Sequence, residues 1–252
     1  MQAVWALVYK QWKYRVAYRW NIVNLTIGPF FIVGPYVFAS DMYASRSLTQ
    51  MVAVGVIIWY WFSMFFWGVG YGMRDEMEEG TFESVAVAPG GLGILLAAKG
   101  VDSLVVSVYM SISSWVMLHA FARLDMPKLS WTVLAVILAS AVAFAGCGLV
   151  LASVNVLAKR AVQVGDVIQQ TAGIFSGMTA PTSVLPRAMR LASLVIPLTY
   201  AIEAARQALS GRAPGQQLWI LSAFALGIWF GGMVLMRYAY ERSRVSGTLG
   251  EY

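Results

Sequence analysis

Residues 51–72 read MVAVGVIIWYWFSMFFWGVGYG, and residues 73–83 continue as MRDEMEEGTFE. The first stretch has no charged residue, whereas the second holds five of the twelve acidic residues of the chain. As a helix, the first stretch would rise about 33 Å at ~1.5 Å per residue, which is enough to cross the hydrocarbon core of a bilayer. The sequence therefore predicts a transmembrane helix that runs directly into a charged segment outside the membrane.

The composition of the whole chain predicts the same class of protein. Hydrophobic residues make up 59% of the 252 residues and charged residues 12%, against about 25% charged in an average soluble domain. An integral membrane protein is therefore expected. The single cysteine, Cys147, excludes a disulfide within the chain, and the single histidine, His119, leaves a metal site short of ligands. The basic residues are dispersed along the sequence, which disfavours nucleic-acid binding.

Six apolar segments are long enough to span a bilayer: 22–39, 51–72, 97–120, 131–156, 161–181 and 217–238. An isolated strand in lipid would leave its backbone groups without hydrogen bonds, so all six are predicted to be helices. The expected fold is an all-α integral membrane protein with six transmembrane helices.

The distribution of basic residues predicts the orientation. An N-terminus inside the cell places eleven basic residues on the cytoplasmic side and seven outside. Four of those seven lie in one long outer segment, so counting short loops gives eleven against three. Both termini and the acidic segment are therefore expected to face the cytoplasm, in the cell membrane.

Residues 1–20 predict an amphipathic helix at the membrane surface. They carry cations throughout, which is not typical of a cleavable signal peptide. Lys10 and Lys13 lie away from an apolar stripe with steps of three or four, which consists of Trp5, Val8, Trp12, Val16 and Trp20. The alternative is that this segment extends the first span inward.

The acidic segment has the spacing of a short helix. Glu76, Glu79 and Glu83 recur at i, i+3 and i+7, which places them on one face that could dock on a basic, grooved surface. Gly80 and Thr81 interrupt the pattern, and Thr81 could cap a following helix. The alternative is a solvated acidic loop.

Three motifs, spread over nearly the whole chain, carry a resemblance to one known family. RDEMEEGTFE at 74–83, followed by Pro89, resembles the first cytoplasmic loop of ABC type-2 exporter permeases, with Phe82 where leucine is usual. PLTYAIEAAR at 197–206 is similar to their Asn-Pro-Leu-Thr-Tyr-x-x-Glu-x-x-Arg hallmark, with Ile196 in place of the asparagine. Phe175-Ser176-Gly177, with Pro181 and Leu185-Pro186 beyond it, resembles their fifth span and outer turn.

The resemblance implies one permease domain over 1–252 that works with separate ATPase subunits. The coupling loop, 73–96, would contact the ATPase through Glu76, Glu78, Glu79, Gly80, Thr81, Phe82, Glu83 and Pro89. The outer segment, 182–216, would form short re-entrant helices that cap the path through Pro197, Leu198, Thr199, Tyr200, Glu203 and Arg206. The spacing of Glu203 and Arg206 also permits an ion pair.

The resemblance also implies two copies of the permease. They would form a path for a hydrophobic or amphipathic cargo that is drug-like, lipid or glycan, and the cargo would move outward. No segment fits the phosphate-binding Gly-x-x-x-x-Gly-Lys-Ser/Thr pattern. The chain is therefore not expected to be an enzyme or to hold a cofactor, and ATP and Mg²⁺ would bind to the partner ATPase.

Two groups of residues are candidates for lining that path. Gln163, Asp166 and Gln170 form a polar face on the fifth span, which should look at another subunit or a water-filled path, although hydrogen bonding between helices is an equal alternative. Trp59, Phe62 and Phe66 belong to an aromatic cluster on the second span, for which core packing is the alternative.

Two other classes of function stay open. An ion-coupled secondary transporter could use Asp166 as a proton site, but the halves of the sequence show no convincing internal repeat. A membrane-embedded enzyme would need a catalytic constellation within the spans, where Asp102 and Asp166 are the only carboxylates.

Overall fold

A computed structural model of the protein describes residues 2–17, 19–43, 45–78, 91–125, 130–157 and 162–246. All regular elements in these ranges are helices, so the predicted all-α membrane fold is confirmed. A single 3-10 turn, Thr182–Val184, precedes the eighth α-helix. The α-helices are α1 (Gln2–Ala17), α2 (Arg19–Tyr43), α3 (Arg46–Gly70), α4 (Gly72–Glu78), α5 (Gly91–Ala122), α6 (Trp131–Leu157), α7 (Val162–Phe175), α8 (Arg187–Ser193), α9 (Pro197–Leu209) and α10 (Gly215–Ser246).

Five of the described helices, α2, α3, α5, α6 and α10, are long and apolar enough to cross a membrane. The pair α8 and α9 brings the number to six if it counts as one span broken by a bend of 87°. Pro186 and Pro197 stand at the starts of these two short helices, where proline lacks only an N–H group that the helix would not use. Helices α8 and α9 correspond to the short re-entrant helices that the sequence predicted before the last span.

The predicted fifth span, 161–181, ends earlier in the structure. Its helix, α7, is described from Val162 and ends at Phe175. The chain turns at Gly177, whose φ of 78° is a left-handed conformation that glycine adopts readily. Hydropathy extends across this turn and therefore overestimated the helix.

The bundle is built around α3. In its most apolar window 72% of the residues are buried, against 17–50% for the other four candidate spans. It packs against α2, α5, α6 and α9. Small residues allow the closest approach to α6: a Cβ atom at Gly148 would lie 2.7 Å from the carbonyl oxygen of Phe65.

The two ends of the bundle carry different elements. At one end, α4 and the start of α5 lie beside α1, and Leu95 packs with Ala152 and with Met236 of α10. At the other end, α9 packs near the start of α3. The N-terminal helix, the last part of α10 and α4, where the acidic segment begins, therefore share one end.

The apolar stripe predicted for residues 1–20 is divided. Val8 is buried and Trp12 half-buried, whereas Trp5, Val16 and Trp20 are exposed. Val8 and Trp12 share the side toward α5 with Gln11 and Arg15. The prediction of a uniform apolar face missed that polar residues of α1 also point inward.

Candidate functional site

The acidic segment begins as α4, which follows α3 after the single residue Tyr71. Glu76 is buried, and its carboxylate lies 3.9 Å from the Lys10 ammonium group of α1. It therefore faces its own chain, which differs from the predicted exposed position beside Glu79 and Glu83. Glu78 ends α4, its side chain is not described, and the remaining predicted coupling residues lie outside the described residues: Glu79, Gly80, Thr81, Phe82, Glu83 and Pro89.

Aromatic contacts hold the joint between α3 and α4. The Tyr71 ring stacks on Trp67 at a centroid distance of 5.0 Å, and the Arg74 guanidinium lies 5.7 Å from the centre of the Tyr71 ring. Burial raises the pKa of the Tyr71 hydroxyl above its ordinary value, Arg74 lowers it, and Asp166 of α7 raises it further. Tyr71, the residue between the two helices, is thus held by Trp67 of α3 and Arg74 of α4.

A second acidic residue of α4 pairs with the third span. Asp75 Oδ2 accepts a hydrogen bond of 2.9 Å from Lys99 Nζ of α5. The Lys99 side chain is only 11% exposed, and the Asp75 side chain is 49% exposed. The buried cation therefore anchors α4 to the bundle.

One turn further along α5, Asp102 pairs with the N-terminal helix. Arg15 donates to both carboxylate oxygens of Asp102, with Nη1–Oδ1 at 2.5 Å and Nη2–Oδ2 at 2.7 Å. This forked geometry is the strongest that a guanidinium and a carboxylate form. The Asp102 side chain is 7% exposed and that of Arg15 25%.

Sequence reasoning missed these pairs. It considered Asp102 only as a possible catalytic acid and Arg15 only as a cation at the membrane surface. The sequence did indicate that such partners exist, because Lys99 and Asp102 lie beside or within a span and each requires a partner there. The sequence did not identify which helix supplies the partners, since they lie 24 and 87 positions away.

A polar ladder joins α7 to α3. Gln169 is buried, accepts a hydrogen bond of 2.7 Å from Trp67 Nε1, and donates one of 2.5 Å to Ser63 Oγ. Glycines one helical turn to either side make room for two indole rings: a Cβ at Gly165 would lie 2.8 Å from the Trp67 ring, and one at Gly173 would lie 2.5 Å from Trp59 Nε1. Trp59 Nε1 also donates to the backbone carbonyl of Gln169 at 3.5 Å, so one amide side chain, one backbone carbonyl and two glycines hold α7 to the central helix.

The predicted polar face of α7 points away from this ladder. Gln163, Asp166 and Gln170 are all exposed in the single chain, as is Val167. Polar groups on a helix at membrane depth are costly unless protein or water covers them. The structure therefore leaves this face available to another molecule or to a water-filled path.

The aromatic cluster of α3 is mostly internal. Phe62 and Phe66 are 3% and 4% exposed and stack on each other at 5.2 Å, and Phe62 contacts Phe144 edge to face at 5.4 Å. Their burial favours core packing, the alternative to lining the path. Trp59 is only partly buried, so it remains a candidate at the path.

The predicted cap motif forms α9. Pro197, Leu198 and Thr199 are buried in its first turn, and Thr199 Oγ1 donates to the Ser193 carbonyl at 2.8 Å. Tyr200 donates to the Leu194 carbonyl at 2.9 Å. These two bonds fix the bend between α8 and α9.

Arg206 connects α9 to the start of α3 and to the turn after α7. Its guanidinium donates to the carbonyl oxygens of Met51, Gly177 and Met178 at 3.0–3.1 Å. Glu203 and Arg206, both described, do not form the ion pair that their spacing permits, because no carboxylate oxygen of Glu203 lies within 4.0 Å of a guanidinium nitrogen of Arg206. Glu203 instead accepts a hydrogen bond of 3.3 Å from Gln207, because Arg206 is buried and points inward.

A bundle of apolar helices with buried ion pairs at one end and a broken helix pair at the other defines a multi-pass integral membrane protein. The family model described as "ABC-2 type transporter" matches residues 2–210. The chain therefore belongs to the ABC-2 type transporter family and is a transmembrane subunit, a permease, of an ABC transporter. The comparison with curated proteins gave no match.

Proposed function

We propose that this chain is the permease of an ATP-driven exporter in the cell membrane, powered by ABC ATPase subunits that dock on residues 76–89. The observation that carries the proposal is the family membership together with the position of the acidic segment. The segment leaves the central helix α3 at the end of the bundle where α1 and the last part of α10 also lie. On the proposed topology this end faces the cytoplasm.

Glu76 is at the edge of that docking surface. Because Glu76 is buried against α1, the acidic groups proposed to meet a partner are those that follow it in sequence: Glu78, Glu79 and Glu83. A basic groove on the ATPase would be complementary to these carboxylates. ATP and Mg²⁺ would bind to that partner, and this chain would hold no catalytic site of its own.

The proposed assembly contains two copies of the permease. The exposed polar face of α7, formed by Gln163, Asp166 and Gln170, is the surface best suited to a second copy or to the path between copies. Its mixture of polar residues with Val167 and Ile168 is poorly suited to lipid on all sides. The cargo would be hydrophobic or amphipathic, of drug-like, lipid or glycan character, and would move outward as the helices tilt.

Co-purification tests the docking surface. The permease is expressed with the ABC ATPase subunits of its source genome, as wild type and as the double variant Glu79→Ala, Glu83→Ala. We expect an ATPase to co-purify with the wild type and to be lost or greatly reduced with the double variant. Asp125→Ala is the matched control, since Asp125 is an exposed acid at the opposite end of the bundle. Equal recovery with wild type and double variant would contradict the proposal.

A further inference from the structure

The two buried ion pairs at the α4 end are parts of one network. In the amide orientation that satisfies both neighbours, Gln11 of α1 donates to Asp102 Oδ2 at 2.8 Å and accepts from Lys99 Nζ at 3.1 Å. Lys99 also donates to Asp75 of α4, and Asp102 also accepts from Arg15 of α1. One amide therefore connects an ion pair that holds α4 to an ion pair that holds α1.

The network has its base on a single turn of α5. Lys99 and Asp102 are three positions apart, so their side chains lie on the same side of that helix. A second link, between Lys10 and Glu76, joins α1 directly to α4 at 3.9 Å. Three elements that are distant in sequence are thus held together by charged and polar groups.

The described apolar cluster nearest this junction is small and involves neither α1 nor α4: Leu95, in the first turns of α5, packs with Ala152 and Met236. The outer surface of α1 is exposed at Trp5, Tyr9 and Val16, whereas Val8 is buried. The described polar contacts therefore help to set the position of α1 relative to α4.

We propose that Gln11, Lys99 and Asp102 are positioning residues that make α1, α4 and α5 move as one unit when an ATPase acts on the acidic segment. This inference rests on the proposed function, since it needs a partner that displaces α4. A displacement of α4 reaches α5 through Asp75 and Lys99. It reaches α1 through Gln11 and Asp102, and directly through the contact of Glu76 with Lys10. Without the network, α4 would rotate about Tyr71, the residue between α3 and α4, and α1 would keep its position.

A fluorescent probe on α1 tests the linkage without knowledge of the cargo. Val16→Cys carries an environment-sensitive thiol dye in a Cys147→Ser background, and Val16 is 56% exposed and outside the network. The labelled permease is combined with its ATPase, and the fluorescence change on addition of a non-hydrolysable ATP analogue is recorded. We expect a change in the otherwise wild-type protein.

Two variants separate the linkage from folding. The double variant Lys10→Ala, Gln11→Ala removes the direct contact of α1 with α4 and the amide between the ion pairs, whereas Asp102→Asn removes the charge that Arg15 meets. Each should weaken the ATP-dependent signal, and their combination should lose it, while the ATPase still binds. Lys13→Ala, an exposed cation on the same helix, should not change the signal.

Each outcome decides between the two ideas. A wild-type permease that binds no ATPase would overturn the proposed function and this inference with it. A bound ATPase with no signal from α1, or with an undiminished signal in the double variant Lys10→Ala, Gln11→Ala, would overturn the linkage alone. A variant Asp102→Asn that does not fold leaves the decision to that double variant.

Discussion

At the scale of single residues, buried polar groups mark the positions where this bundle is most constrained. Arg206 has no described ion pair and is held by three backbone carbonyl groups, whereas Asp102 and Lys99 each have an opposite charge. Removing one partner of a buried pair generally destabilises more than removing both, because the remaining charge stays in a poor solvent. Single substitutions at these positions should therefore be harsher than matched exchanges.

Gly55 leaves the space that the Arg206 guanidinium and the Met178 carbonyl group occupy. A Cβ atom there would overlap the carbonyl oxygen of Met178 and the Arg206 guanidinium, and the first of these is backbone that cannot easily shift. We predict that Gly55→Ala lowers the free energy of unfolding by about 1–3 kcal/mol, as expected for overpacking. Equilibrium unfolding by SDS titration measures this.

Gly227→Ala provides the control for Gly55→Ala. Gly227 lies within α10, and a Cβ there meets no described atom within 4 Å. Alanine favours a helix by roughly 1 kcal/mol over glycine, so this variant should be neutral or more stable. Two variants of equal stability would contradict the role given to Gly55.

At the scale of elements, the two faces of α7 differ in their contacts: one attaches the helix to the bundle, and the other is exposed. Gln169 points into the bundle and bonds to Trp67 and Ser63, whereas the adjacent Gln170 is exposed. The sequence predicted a polar face on this helix but placed the emphasis on Gln163, Asp166 and Gln170. Gln169 therefore has the first role expected of a polar residue in a span, hydrogen bonding between helices. The exposed side of α7 keeps the second, lining a path.

We predict that Gln169→Leu loosens α7 from α3. Loss of the two side-chain bonds should cost about 0.6–2 kcal/mol, the range measured for interhelical hydrogen bonds in membranes. Hydrogen–deuterium exchange over residues 162–175 in detergent should accelerate. Gln170→Leu is the matched control and should leave the exchange of the isolated chain unchanged; faster exchange in Gln170→Leu alone would reverse the assignment of the two faces.

At the scale of the whole molecule, hydropathy was sufficient for the class of fold but not for its internal connections. Long uncharged runs such as 51–72 predict helices because lipid leaves the backbone no alternative. The end of α7 was missed because a turn at Gly177 is as apolar as the helix before it. Pairs such as Arg15 and Asp102 could not be predicted, since partners 87 positions apart are chosen by tertiary packing.

The second copy of the permease is also a prediction at this scale. We expect Gln170→Cys in a Cys147→Ser background to form a crosslinked dimer with a short bifunctional thiol reagent in native membranes. The cysteine would lie on the exposed face of α7, and the same face of the second copy would approach it under two-fold symmetry. Trp219→Cys, on an exposed position of α10, serves as the comparison; dimer at 219 with none at 170 would place the interface elsewhere.

Photo-crosslinking from the acidic segment of the assembled complex tests most directly whether the ABC ATPase docks on that segment. A benzophenone amino acid replaces Phe82 in one sample and Trp131 in another, since Trp131 starts α6 at the opposite end and is 86% exposed. If the ATPase docks on the acidic segment, position 82 should form an adduct with the ABC ATPase subunit and position 131 should form none. An adduct from position 131, or an assembled complex with no adduct at position 82, would contradict that docking.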